Sequence, residues 1–191
     1  MRVDAAPPRR ESSIDVNLPE LGRLLDRWRV PTVPIASRGV PPHVSLLYPW
    51  RPAPLRSEDL VAAEAALAGI APLTIRFARV GRYDATGVLY LEPDPEAELR
   101  TLMRRLAAAF PDTPPYGGRF PDPAPHCTVA RGASAAEVDR LEGEIGRALA
   151  AHLPLVVRVD AVDLSEQDDD GVWSVRATIA LGRPEEREGA P

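Results

Sequence analysis

Apolar residues recur along the chain with two periods, and the changes of period outline its elements. Ser12 to Asn17 reads as a first strand. From Pro19 the spacing of Leu21, Leu24, Leu25 and Trp28 is that of a helix burying one stripe. Val30 to Pro42, with four prolines and Gly39, predicts a loop that delivers the chain to a strand beginning at His43, which must stop by Pro49. Ser57 is expected to cap an alanine-rich helix running to about Ala68, with Glu58 and Asp59 in its first turn. Leu73, Ile75 and Phe77 then alternate with Thr74 and Arg76, so Leu73 to Tyr83 and Val88 to Glu92 predict a hairpin around the turn at 84–87. Pro95 opens a helix with Leu99, Leu102, Met103 and Leu106 on one side, ending near Phe110.

Residues 111–125, rich in proline and containing Gly117-Gly118, form a loop long enough to serve as a lid. Ser134 and Glu137 have capping-box spacing for a helix carrying Val138, Leu141, Ile145 and Leu149 to about His152. Pro154 to Leu164 and Val172 to Leu181 read as two strands joined by the acidic turn Glu166 to Gly171. Short connections between strands favour antiparallel pairing, so the expected class is α+β and not a doubly wound parallel sheet. The expected organisation is one domain over 12–182 between flexible tails at 1–11 and 183–191.

Composition narrows the chemistry. A chain of 191 residues with 45% hydrophobic positions is long enough to bury a sizeable core. A net charge of −5 and a pI near 5.3 argue against a surface dominated by DNA or anionic lipid. All 23 basic residues are arginine, which excludes a lysine Schiff base and a phosphate loop ending in lysine. The single cysteine, Cys127, excludes an internal disulfide and a multi-cysteine zinc site. No signal-peptide-like run and no apolar stretch of bilayer-spanning length is seen, so a cytoplasmic, soluble protein without a membrane partner is expected.

Two of the three histidines open matched signatures. Pro42-His43-Val44-Ser45-Leu46 and Pro125-His126-Cys127-Thr128-Val129 share proline, histidine, any residue, hydroxyl and apolar residue in that order, and the histidines stand 83 positions apart. On a strand, His43 and Ser45 leave the same face, as do His126 and Thr128. Two histidines on one cleft can act as general base and general acid, while the hydroxyls donate to non-bridging phosphate oxygens. One such motif is a weak signal, and its repetition half a chain apart is a strong one. Which histidine is the base is left open. Cys127 points away from that face and reads as core, not nucleophile. Glu166, Asp168, Asp170 and Gly171 faintly echo a calcium loop, but Ala177 stands where a bidentate Glu belongs, so an acidic hairpin turn explains them better. His152 reads as a surface partner for a helix C-terminus. Tyr48, Trp50, Tyr116 and Phe120 are candidates for stacking a nucleobase, with core or lid packing the alternative.

In these paired motifs the chain resembles the 2H phosphoesterase superfamily, and particularly its RNA 2′,5′-ligase-like, cyclic phosphodiesterase branch. The resemblance covers about 12–182. It implies two pseudo-twofold-related α+β lobes, with antiparallel sheets lining a central cleft and helices outside. It also implies metal-independent action, without a cofactor, on 2′,3′-cyclic or related phosphodiesters of RNA ends or small nucleotides. A monomer with no DNA partner is expected. His43 and His126 become the acid/base pair, Ser45 and Thr128 the phosphate-binding hydroxyls, and Arg131, in the related Thr-Xaa-Xaa-Arg stretch, a candidate phosphate clamp. The alternatives are a non-catalytic module holding an RNA end or nucleotide, and an RNA 2′,5′-ligase.

Overall fold

The computed structural model describes residues 10–182. Of the expected tails, only Arg10 and Glu11 fall inside that range. The Arg10 carbonyl accepts from the Ala53 amide at 3.1 Å, and the Glu11 carbonyl from the Gln167 amide at 3.0 Å.

Eight strands form one antiparallel sheet: β1 (Ser12–Asn17), β2 (His43–Leu47), β3 (Leu73–Tyr83), β4 (Val88–Pro93), β5 (Cys127–Arg131), β6 (Leu155–Val159), β7 (Ala161–Gln167) and β8 (Trp173–Ala180). Their order is β6-β3-β4-β5-β2-β1-β7-β8, which is two four-stranded halves meeting at β5 and β2. The α+β class and the antiparallel pairing are as expected from the sequence, and the two halves make one continuous sheet. The joint is narrow, with Val44 paired to Cys127. Both motif strands are therefore innermost, and each has one outer neighbour, β1 for β2 and β4 for β5.

Both outer pairs carry a bulge at the same place. Ile14 pairs with Leu47 and Asp15 with Ser45, while Leu89 pairs with Ala130 and Tyr90 with Thr128, so each motif strand has one extra residue after its hydroxyl. Leu46 and Leu47 are consequently both buried, as are Val129 and Ala130.

The helices cross over between the halves. Helix α1 (Gly22–Thr32), which follows β1, packs on β5, and α3 (Ala97–Ala109), which follows β4, packs on β2. Helix α2 (Ser57–Leu67) lies against α3, and α4 (Ala135–Leu149) against β3 and β4. The Trp28 indole donates to Glu144 at 2.8 Å, tying α1 to α4. Leu25 and Trp28, Leu99, Leu102 and Leu106, and Leu141, Ile145 and Leu149 form the buried stripes that the helical spacing predicts.

Three expectations are corrected. Pro154 to Leu164 is not one strand: the chain breaks at Asp160, β6 joining β3 on one edge and β7 joining β1 in the other half. Asp160 takes the break because its side chain accepts from Arg158 at 2.8 Å and its carbonyl from the Leu181 amide at 2.7 Å. Arg56, not Ser57, caps α2, because the buried Asp59 carboxylate accepts from the Arg56 amide at 3.1 Å. Helix α1 continues to Thr32, three residues into the expected loop, with Pro31 inside it. Ser134 caps α4 as expected, accepting from the Glu137 amide at 3.3 Å. The Glu137 carboxylate returns one residue further, accepting from the Ala133 amide at 2.8 Å.

Among the described residues no helix is long and apolar enough to cross a membrane. Leu91 on β4 is fully buried and paired to Cys127, next to the joint between the halves, whereas Val156 on the edge strand β6 is 62% exposed. Leu91→Ala is expected to cost about 2–5 kcal/mol through lost burial and the cavity left behind, and Val156→Ala within about 0.5 kcal/mol. Urea denaturation of both variants measures the contrast, and equal losses would contradict the placement of the core.

Candidate functional site

Proline sets up each histidine. Pro42 and Pro125 hold the residue before them extended and carry no amide hydrogen, so the carbonyl two residues before each histidine is free to turn toward its ring. His43 Nδ1 lies 2.9 Å from the Pro41 carbonyl, and His126 Nδ1 2.9 Å from that of Ala124. A carbonyl only accepts, so Nδ1 carries the hydrogen in both rings and Nε2 is left for other work.

The register then assembles the four motif side chains. With Val44 opposite Cys127, antiparallel pairing sets His43 across from Thr128 and Ser45 across from His126. Val44 and Cys127, which alternate with them, are wholly buried on the other face. The structure thus brings His43, Ser45, His126 and Thr128 together, half-buried, on one face at the centre of the sheet. Each histidine stands beside the other motif's hydroxyl. Two imidazole Nε2 atoms, one able to accept a proton and the other to deliver one, and two hydroxyls in this arrangement can bind a tetrahedral anion and move protons on opposite sides of it.

The surroundings of the two histidines differ. Tyr83 and Tyr90 stack on each other at 4.3 Å between ring centroids and meet the His126 ring at 5.3 and 5.4 Å. Gly81 makes room for this, since a Cβ there would lie 2.6 Å from Cζ of Tyr90. Burial lowers the pKa of His126, helped by the charge of His43 and opposed by the bond to Ala124. Beside His43 lies Asp15, 3% exposed, whose carboxyl pKa is raised by burial against the pull of His43 and of the Ser13 and Ser45 hydroxyls. Arg29, 1% exposed on α1, donates to the Pro41 carbonyl at 2.9 Å and so steadies the acceptor that orients His43. Its other contacts are Asp26 at 2.9 Å and the Val40 carbonyl at 3.3 Å.

A cleft open to solvent lies beside His43 and Ser45 and runs across β1, β7 and β8, lined among others by Asp15, Asn17, Tyr48, Ser165 and Trp173. The 111–125 loop is pinned beside it. The Tyr116 amide donates to the Tyr48 carbonyl at 2.6 Å, and Tyr116 meets the rings of Tyr48 and Phe120 at 6.5 and 5.7 Å. The three aromatic candidates therefore form one chain of contacts from the motif strand into the loop. Burial raises the Tyr116 hydroxyl to about 12, and the Tyr48 hydroxyl is also raised, donating to Glu11 at 2.6 Å. Trp50, in contrast, packs on Phe110 in the core at 5.2 Å.

Arg131 ends β5, exposed, and pairs with Val88 beyond the bulge. That extra residue returns it to the face of Thr128, and among the described residues no carboxylate is within ion-pair distance of it. Cys127 is buried and its thiol is pushed up to about 12 by that burial, which suits core and not a nucleophile. Glu166 lies in β7 and accepts from the Leu55 amide at 2.6 Å, and Asp168 accepts from the amides of Asp170 and Val172, each at 2.9 Å, so the acidic segment is a turn. His152 is exposed just past the C-terminus of α4. Among the described residues no group of three or more His, Cys, Asp or Glu is placed to hold a metal ion.

Asp15, Arg29, Tyr83, Tyr90 and Trp173 escape a reading of the sequence, because each reaches the site through strand pairing or helix packing from a distant segment. Only Asp15 left a trace, as an acidic residue inside a short strand that the fold buries.

The fold has known counterparts. The structure of LigT from E. coli complexed with 3′-AMP superposes with a TM-score of 0.60 at 17% identity, over 92% of this chain and 99% of that one. TT0787 from Thermus thermophilus gives a TM-score of 0.60 at 22% identity, over 91% and 99% of the two chains. No curated protein sequence matches. The model of the 2′-5′ RNA ligase superfamily matches residues 18–171, a span that includes both histidine motifs, and the chain belongs to that family.

Proposed function

We propose that the protein is a metal-independent phosphodiesterase that opens 2′,3′-cyclic or related phosphodiesters on RNA ends or small nucleotides. The observation that carries the reading is the central quartet: two histidines with Nδ1 committed to backbone carbonyls and Nε2 free, each beside a hydroxyl, on adjacent strands. Ser45 and Thr128 donate to the non-bridging oxygens of a phosphate seated between them, and Arg131 at the strand end supplies positive charge to the same group. His126, whose lowered pKa favours the neutral ring, accepts the proton of the attacking water. As the water oxygen bonds to phosphorus and the bond to the ribose oxygen breaks, His43 delivers its proton to the departing oxygen. Tyr48, Tyr116 and Phe120 flank the nucleoside. The complex of LigT with 3′-AMP supports a nucleotide as the substrate class.

In the presence of chelator the protein is expected to turn over nucleoside 2′,3′-cyclic phosphates or RNA with a cyclic phosphate end. Tight, salt-sensitive binding without turnover by the folded protein would show a binding module instead. Replacing either histidine, His43→Ala or His126→Ala, is expected to lower kcat by at least about a hundredfold, and near-full activity in either would remove that residue from the mechanism.

The pH profile follows from His126. Activity falls on the acid side when the base takes up a proton, and a depressed pKa moves that loss to lower pH. The acid limb of kcat/KM is therefore expected below the ordinary imidazole value of about 6.5, and a limb above it would contradict the assignment of His126 as base.

Gly81→Ala tests the wall of the site. The added methyl displaces the Tyr90 ring from beside His126, so activity is expected to fall about tenfold or more, the lower end of what misplaced catalytic geometry costs. Thermal unfolding should show stability nearly unchanged, because the displaced group is the end of a side chain. Unchanged activity would show that Tyr90 plays no part.

A further inference from the structure

The two halves offer equivalent positions and fill them differently. Asp15 is paired with Ser45 and Tyr90 with Thr128, each at a bulge of the strand pair flanking a motif. One histidine motif has a carboxyl beside it and the other has a phenol. The Asp15 carboxyl is buried, with Oδ2 accepting from the Ser13 hydroxyl and Oδ1 without a hydrogen-bond partner. Buried ionised carboxyls need a compensating charge.

The groups around Asp15 narrow the source of that charge to one. Ser13 on β1 and Ser45 on β2 are neutral. Asp163 on β7 is acidic and occupied, accepting from Asn17 at 2.9 Å and Thr178 at 2.6 Å. Tyr48, bonded to Glu11, and Tyr116 from the 111–125 loop are phenols that Asp15 itself helps to keep protonated. His43, diagonal to Asp15 across the β1–β2 pair, is the one basic group in this set. His126 has the stacked tyrosines instead.

We propose that Asp15 is a positioning residue that makes the two histidines unequal, its carboxylate holding the proton on His43 so that His43 enters the reaction as donor and His126 as acceptor. The catalytic consequence rests on the phosphodiesterase reading, whereas the coupling of the two charges is a property of the free protein. No atom of Asp15 need touch the substrate. The shared proton resides on His43 when Asp15 is ionised, and passes from there to the departing oxygen.

Asp15→Asn removes the charge and keeps the shape. In an NMR titration of the ring carbons, the His43 midpoint is expected to fall by about one pH unit or more, the usual effect of losing an opposite charge at this range. The His126 midpoint should move much less. In turnover assays kcat at neutral pH is expected to fall about tenfold, with KM little changed and the alkaline limb of the profile moving toward acid. Asp15→Glu should restore part of both. An unshifted His43, or equal shifts of both histidines, would overturn the proposal. If no phosphodiester is turned over, the titration still decides it. If the enzyme is active and His43 does not shift, Asp15 loses its role and the phosphodiesterase reading stands. Should the variant not fold, the carboxyl carbon of Asp15 in the unaltered protein must inflect at the His43 midpoint, and its absence there refutes the coupling.

Discussion

The pairing of Val44 with Cys127 is the contact on which the rest of this structure depends. The quartet of His43, Ser45, His126 and Thr128 exists only where the two innermost strands meet. Because side chains alternate along a strand, that one register puts all four on the same face and both intervening residues in the core. A slip of one strand by one residue would bury its histidine and hydroxyl and expose Val44 or Cys127 in their place. The apolar pair is thus what specifies the site, and the crossing of α1 onto β5 and α3 onto β2 locks the halves around it.

Pseudo-symmetry accounts for much of the geometry. Both motifs use a proline before the histidine, a carbonyl two residues back as its anchor, and a bulge after the hydroxyl. The bulge matters because it restores the next residue, Tyr48 in one half and Arg131 in the other, to the face it would otherwise leave. Where the halves differ, the differences are electrical. Asp15 and the buried Arg29 lie near His43, and two phenols enclose His126. Different surroundings bias two chemically identical rings toward opposite parts in one proton transfer.

Much of the fold was legible from local pattern. The stripe of Leu99, Leu102 and Leu106, the cap at Ser134, and the alternation of Leu73, Ile75 and Phe77 are consequences of backbone periodicity acting over a few residues. Failures came where something other than the local apolar pattern decided. Asp160 breaks what reads as one strand because β6 and β7 find partners in opposite halves, a choice made by β3 and β1. Asp59 moves the cap of α2 from Ser57 to Arg56 because it is buried with the carboxyl turned back on the chain. Tyr83 and Tyr90 flank an ordinary turn in the sequence, and only the β4–β5 pairing carries them to His126.

The sequence by itself determined most of the elements, the two motifs and the reacting groups they offer, since a histidine and a hydroxyl two positions apart on a regular strand share a face. It also placed Cys127 in the core by the same alternation. Tertiary structure decided the rest: that the two faces are the same face, that Arg131 rejoins it, and that a carboxyl stands beside one histidine and aromatic rings beside the other. Those outcomes depend on which strands become neighbours, and strand pairing is set by burial across the whole sheet and not by any residue near the motifs.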